Sequence, residues 1–213
     1  MLLAAGVAAG VGSGLSYPAA KAQSALSPEE ALDRLMAGNR RFVEKRLTSL
    51  DEDLVVLKQN AAERQEPFAA VLSCADSRVP VELLFDQSIG RVFVTRVAGN
   101  VASSHVIASL ECGAAVLGTK AILVLGHANC GAVKAAVAGK AAPGQISGLY
   151  PYLRAAVEQA GPDPEATSQA NAVIQARLLA SASPVIGEAV AKGTVKVAAG
   201  HYDIVTGAVS LLA

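Results

Sequence analysis

Tryptophan is absent from this chain, and aromatic residues of every kind make up only 4% of its 213 positions. Hydrophobic residues reach 52%, so the core must be assembled from Ala, Val, Leu and Ile. A chain of this length buries a sizeable core and fits one compact domain with extra terminal elements. Charge of one sign is also missing: 18 Lys+Arg balance 18 Asp+Glu, for a formal net charge of zero. With no basic excess to neutralise phosphates, nucleic acid is not expected as a partner. The substrate is expected to be small or neutral, or held by a few local charges. Three cysteines, Cys74, Cys112 and Cys130, are too few and too unevenly spread for a disulfide framework. The apolar run Leu2–Leu15 spans about 14 residues against the roughly 20 that a bilayer requires, so no transmembrane anchor is expected.

That run contains only Ala, Gly, Val, Leu and Ser, and Ala20-Lys21-Ala22 follows it as a small-x-small cleavage site. Together they read as an export signal over residues 1–22, predicting a periplasmic or lumenal protein. Two features oppose this and keep a cytoplasmic location as the alternative: no Lys or Arg precedes Lys21, and free thiols normally mark a reducing compartment. Gly10, Gly12 and Gly14 lack both the spacing and the preceding strand of a dinucleotide-binding loop.

Residues 23–64 read as a helical arm. Ser27-Pro28-Glu29-Glu30 is a helix start, with Ser27 as cap, Pro28 at the first position and Glu30 in the capping-box place. Ala31, Leu35, Phe42 and Val43 give this helix an apolar stripe that calls for a partner surface, and a second helix is predicted from about Asp51 to Arg64. From residue 65 to 213 short apolar runs alternate with helical stretches. The runs are Phe68–Leu72, Val92–Val97, Ala121–Leu125 and Val195–Ala199; the helices lie at about Ser104–Leu117, Ala132–Val137, Leu149–Gln159 and Gln169–Lys192, the last interrupted near Pro184. This alternation predicts an α/β fold with a mostly parallel sheet covered on both faces. Tyr202–Leu212, broken at Thr206-Gly207, predicts a hairpin that adds an antiparallel edge strand.

Two segments carry the chemistry. Ser73-Cys74-Ala75-Asp76-Ser77-Arg78-Val79-Pro80 follows the first predicted strand, and Gly126-His127-Ala128-Asn129-Cys130-Gly131 follows the third. Functional groups of open parallel sheets gather beyond the carboxyl ends of strands, so two cysteines and a histidine can converge there. Taken singly, a buried Cys is usually a small hydrophobe and a lone His a satisfied polar residue. Together they match a Cys2His zinc set that keeps its fourth position open. Asp76 and Arg78, two residues apart, would elsewhere read as a surface ion pair.

These two segments resemble the signature motifs of the β-class carbonic anhydrases, in the right order and separation. The similarity runs on through Arg91-Val92-Phe93-Val94-Thr95-Arg96-Val97-Ala98-Gly99-Asn100, Ser109-Leu110-Glu111 and Tyr202-Asp203-Ile204-Val205-Thr206-Gly207, covering roughly Gln65 to Val209. The resemblance implies a zinc enzyme that reversibly hydrates carbon dioxide to bicarbonate. Cys74, His127 and Cys130 would be the zinc ligands. Asp76 would orient a zinc-bound hydroxide and Arg78 would hold Asp76 ionised. Gln65 and the Gly131 amide would bind substrate oxygens. Phe93 and Ala98 would line an apolar pocket shared across a homodimer, with further pairing into tetramers possible in the family. Cys112 stands where many relatives have a pocket tyrosine and is expected to be a buried helix cysteine. His105 and His201 match no motif; His201 is expected to be structural. In a bicarbonate-regulated branch of the family the Asp76 equivalent swings onto zinc, stabilised by a tryptophan, an arginine and a tyrosine. Only Arg96 of that trio is present, with Val71 and Lys134 at the other two places, so the open, plant-like branch is expected. A carbon disulfide or carbonyl sulfide hydrolase of the same fold is the alternative enzyme. A non-catalytic zinc protein is the alternative outside catalysis, opposed by the Asp76–Arg78 pair. The motifs of zinc deaminases are absent.

Overall fold

The computed structural model describes residues 24–51, 54 and 65–213. The predicted leader over 1–22 and most of the predicted helix over 51–64 lie outside them; residues 49–51 and 54 are helical. The chain begins with helix α1 (Pro28–Val43), followed by strand β1 (Ala69–Ser73), a short helix α2 (Val81–Leu84) and strand β2 (Val92–Arg96). Helix α3 (Ser104–Glu111), strand β3 (Ala121–His127), helices α4 (Gly131–Ala138), α5 (Tyr150–Ala160), α6 (Pro164–Ala182) and α7 (Pro184–Ala191), and strands β4 (Lys196–Tyr202) and β5 (Val209–Leu212) complete it.

The sheet order is β2-β1-β3-β4-β5, parallel except for the antiparallel β4–β5 pair. Strand periodicity divides the core in two. Ala69, Val71, Ala121, Leu123 and Leu125 face one side with Leu35 of α1 and Leu84 of α2. Ala70, Leu72, Ile122 and Val124 face the other, against Leu110 of α3, Leu179 of α6 and Ile186 of α7. Both β1 and β3 are buried along their whole length, as expected of parallel strands with helices on both faces. From β1 the chain passes to β2 on one side and then to β3 on the other. A crevice therefore opens between the carboxyl ends of β1 and β3.

Helix α1 starts at the predicted capping box: Ser27 Oγ accepts from the Glu30 N–H and Glu30 Oε2 accepts from the Ser27 N–H. The chain's own core takes up the first half of its stripe, while Val43 at its end stays exposed. Ala31, Leu32 and Leu35 are buried in the chain's own core. Asn39 fastens the helix there, donating to the Leu84 and Gly207 carbonyls and accepting from the Val209 N–H. Gly38 lies so close to the core that a Cβ would sit 1.7 Å from the Phe85 carbonyl oxygen. Three further elements differ from expectation. Helix α6 begins at Pro164 rather than Gln169, because Asp163 caps it through the Glu165 N–H. Helix α2 lies where no helix is predicted. Helix α3 ends at Glu111 and passes into a wider turn over Cys112–Val116, which leaves Cys112 exposed rather than buried.

Asp86, at positive φ, joins the segment after α1 to the sheet. Its buried carboxylate accepts from the Thr48 N–H and hydroxyl, the Ser49 N–H and Arg41. Burial opposes the charge, but the Ser49 and Thr48 amides and Arg41 outweigh it and hold the group well below the usual carboxylate range. A depressed folded-state pKa stabilises the protein above the unfolded value of about 3.9, and this is lost as pH falls through the folded value. Asp86→Asn is expected to lower the unfolding free energy by about 2 kcal/mol near pH 7, because hydrogen bonds to a charged group are lost. Urea titrations should show the gap between wild type and variant narrowing below about pH 4; a gap of constant width would contradict this account.

Candidate metal centre

Cys74 directly follows β1. Its predecessor Ser73 is in register with Leu125, two residues before His127 at the end of β3. Cys130 caps the amino end of α4, one short turn later. Parallel register thus carries all three side chains into the crevice, where their ligand atoms lie within 4.8 Å of one another. The two sulfurs are 3.9 Å apart. Two thiolates each about 2.3 Å from one tetrahedral zinc would be about 3.8 Å apart, so the spacing fits the metal.

The protonation pattern fits as well. His127 is fully buried, and its Nδ1 lies 2.9 Å from the Ala128 carbonyl, which accepts only from an Nδ1–H tautomer. That leaves a bare lone pair on Nε2, and Nε2 has no hydrogen-bond partner among the described residues. A buried, unpartnered imidazole nitrogen is costly unless something outside the chain's own hydrogen bonds meets it. The thiols behave as a pair. The bond between the two sulfurs, with the Gly99 N–H, lowers the Cys74 pKa against the opposing effect of burial. The same bond, with burial, pushes Cys130 up. A bound cation would ionise both thiols.

Asp76 sits beside this cluster, one carboxylate oxygen 3.9 Å from His127 Nε2. Arg78 grips it with Nε to Oδ1 at 2.9 Å and Nη2 to Oδ2 at 2.7 Å, and the Arg78 N–H adds a bond to Oδ1 at 3.0 Å. This fork is the main reason Asp76 is held well below the ordinary carboxylate range. Arg78 is itself positioned by the Asn129 carbonyl, and Asn129, at positive φ, accepts from Lys134. Arg96 binds the Cys74 and Asp76 carbonyls. Lys134 and Arg96 thus brace the two motif loops. Val71 is buried within β1.

The remaining site residues are more dispersed. The Gly131 N–H opens α4, where helix geometry offers it no intrahelical partner. Apart from its chain neighbours and the backbone of its own helix, no heavy atom of the described residues lies within 4 Å of the position a Gly131 Cβ would take. Phe93 and Ala98 are half-buried, and the Phe93 ring packs near Gly113 on the α3 face of the sheet. Gln65 is exposed. His105 is exposed at the start of α3, while His201 is buried at the end of β4 with Glu165 at 3.5 Å. Sequence reasoning missed Gly99, whose N–H reaches Cys74 Sγ at 3.3 Å. It also missed Ser168 on α6, whose hydroxyl donates to the His127 carbonyl at 3.0 Å.

A mixed, mostly parallel sheet with a Cys2His cluster at its switch point defines a metal-site α/β protein. The carbonic anhydrase family profile matches residues 69–209. Carbonic anhydrase 2 of Mycobacterium tuberculosis is 41% identical over 136 residues, which cover 64% of this chain and 64% of that protein. The carbonic anhydrase of Pseudomonas aeruginosa is 31% identical over 172 residues, covering 73% of this chain and 78% of the relative. Among solved structures, the Coccomyxa β-carbonic anhydrase in complex with acetazolamide aligns with a TM-score of 0.65 at 29% identity, covering 85% of this chain and 86% of that one. The chain belongs to the β-class carbonic anhydrase family.

Proposed function

We propose that this protein is a zinc-dependent carbonic anhydrase that interconverts carbon dioxide and bicarbonate. The observation that carries the proposal is the orphaned His127 Nε2 facing two cysteine sulfurs, with an ionised Asp76 carboxylate 3.9 Å away. Cys74, Cys130 and His127 Nε2 would hold the metal. Zinc with three protein ligands supplies Lewis acidity and lowers the pKa of water in its open position toward about 7.

The chain's own residues supply the rest. Asp76, ionised and acceptor-only, fixes where the proton of the attacking oxygen points and so aims its lone pair at the carbon. Arg78 occupies both carboxylate oxygens and its N–H adds a third bond, which would restrain Asp76 from taking a ligand position and supports the open-branch reading. The Gly131 N–H, at the start of α4 where no intrahelical acceptor is available, is read as a donor for a substrate oxygen, and Gln65 as a second. Phe93 and Ala98 give a non-polar substrate an apolar wall. A site that stapled the fold would need a fourth protein ligand and no restrained carboxylate, and no fourth Cys or His joins the cluster among the described residues.

The wall is read as shared across a homodimer, with further pairing into tetramers. Strand β2 ends the sheet, and its residues Val92–Thr95 are only half-buried in a single chain. An apolar open edge of this kind is a pairing surface. Sedimentation should give an even multiple of the chain mass; an active monomer would refute the shared wall.

Zinc analysis and stopped-flow carbon dioxide hydration test the chemistry together. The wild type is expected to hold one zinc per chain and to hydrate carbon dioxide far faster than buffer. Cys74→Ala, His127→Ala and Cys130→Ala should each lose both metal and activity. Full zinc occupancy in any of the three would break the ligand set. Full zinc with no carbon dioxide hydration but turnover of carbonyl sulfide or carbon disulfide would transfer the site to the hydrolase reading.

A further inference from the structure

The inner face of α6 carries polar side chains where an apolar stripe would be ordinary. Ser168, Asn171 and Gln175, spaced three and four residues apart, are each at most 1% exposed. Such residues share one helix face. Every bond they make leads away from α6 toward the segments around the metal cluster or to one another.

The directions of these bonds are fixed by backbone groups that can play only one role. The Ala102 N–H can only donate, and it meets Gln175 Oε1 at 2.9 Å. Gln175 Nε2 must then donate, and it reaches Asn171 Oδ1 and the Tyr152 carbonyl, each at 3.1 Å. With Oδ1 occupied, Asn171 turns Nδ2 onto the Gly99 carbonyl at 2.9 Å. Gly99 in turn gives its own N–H to Cys74 Sγ at 3.3 Å.

The turn so held does not hold itself. Gly99 has φ 74° and ψ 15°, and Asn100 follows at φ 44°, a region side-chain-bearing residues rarely adopt. Two successive left-handed residues give a backbone that another element must pin. Asn171 is the side chain that reaches its carbonyl. A Cβ on Gly99 would also meet Ala132 and Leu153 at 3.4–3.5 Å, so the turn is confined on its other side by α4 and α5.

We infer that Asn171, oriented by Gln175, is a positioning residue for the metal centre: it locks the Gly99 turn so that its N–H supports the Cys74 thiolate. Ser168, one turn earlier, steadies the His127 carbonyl from the same helix. One helix face thereby reaches the supports of two ligands carried by different strands. This inference rests on the reading of Cys74, His127 and Cys130 as a metal site.

The test measures zinc affinity by chelator competition and the absorption spectrum of the cobalt-substituted protein, whose sulfur-to-cobalt band reports the thiolate environment. Asn171→Ala should weaken zinc binding about 10–100-fold, the range for a lost outer-shell partner, and shift the cobalt band. Asn39→Ala removes another buried asparagine with three backbone partners, none of them in the cluster or in the Gly99 turn. It should lower thermal stability while leaving affinity and spectrum at wild-type values. Asn171→Asp keeps the shape and the bond from Gln175 but sets a carboxylate oxygen against the Gly99 carbonyl. It should reproduce the defect even if the alanine variant does not fold. Wild-type affinity and an unshifted band in the folded Asn171 variants would overturn the inference, as would an equal loss of affinity in Asn39→Ala. A wild type that binds no zinc would overturn the metal-site reading itself, and this inference with it.

Discussion

A bare imidazole nitrogen, two sulfurs and no hydrogen-bond partner for the nitrogen meet at the carboxyl ends of β1 and β3, and the rest of the structure answers to that meeting. An unpartnered buried acceptor costs about 1–3 kcal/mol, and an assembled chain tolerates it only where something compensates. Parallel register makes the convergence possible, because it brings Cys74 level with the last residues of β3. The Ala128 carbonyl then dictates which nitrogen of His127 is left bare. Holding two thiols 3.9 Å apart has the complementary effect: each perturbs the other's ionisation, and a bound cation would let both ionise.

Around this cluster the arginines divide their work. Arg78 confines the Asp76 carboxylate, while Arg96 ties the Cys74 and Asp76 carbonyls and so joins the ligand loop to the edge strand β2. Asn129, between His127 and Cys130, links the second motif to Arg78 through its carbonyl. The two motifs are therefore cross-braced before any metal or substrate is considered. An acceptor held in place beforehand is worth more than one that must reorganise during reaction.

Much of this was legible from residue order. The strand–motif pairs around Cys74 and His127 implied both the sheet and the crevice, and the capping box at Ser27 located α1 to the residue. What stayed hidden depended on tertiary contact. Gly38, a weak residue for a helix interior, is where α1 presses on the Phe85 carbonyl and packs into the core. The wider turn over Cys112–Val116 follows from no periodicity and turns Cys112 outward. Asn171 and Gln175 read as ordinary polar residues of a helix, and only the packing of α6 against β3 and the Gly99 turn gives their spacing a direction. Roles that rest on covalent neighbours were readable; roles that rest on facing backbone were not.

Cys74, His127 and Cys130 are expected to bind one metal while Asp76 stays on Arg78, and a crystal structure of the zinc-loaded protein grown near pH 7.5 decides this. Zinc should lie about 2.3 Å from both sulfurs and about 2.0–2.1 Å from His127 Nε2, with a non-protein ligand completing the tetrahedron. Asp76 should remain forked to Arg78. An Asp76 oxygen bonded to zinc at roughly 2.0–2.2 Å, or His127 ligating through Nδ1, would contradict it.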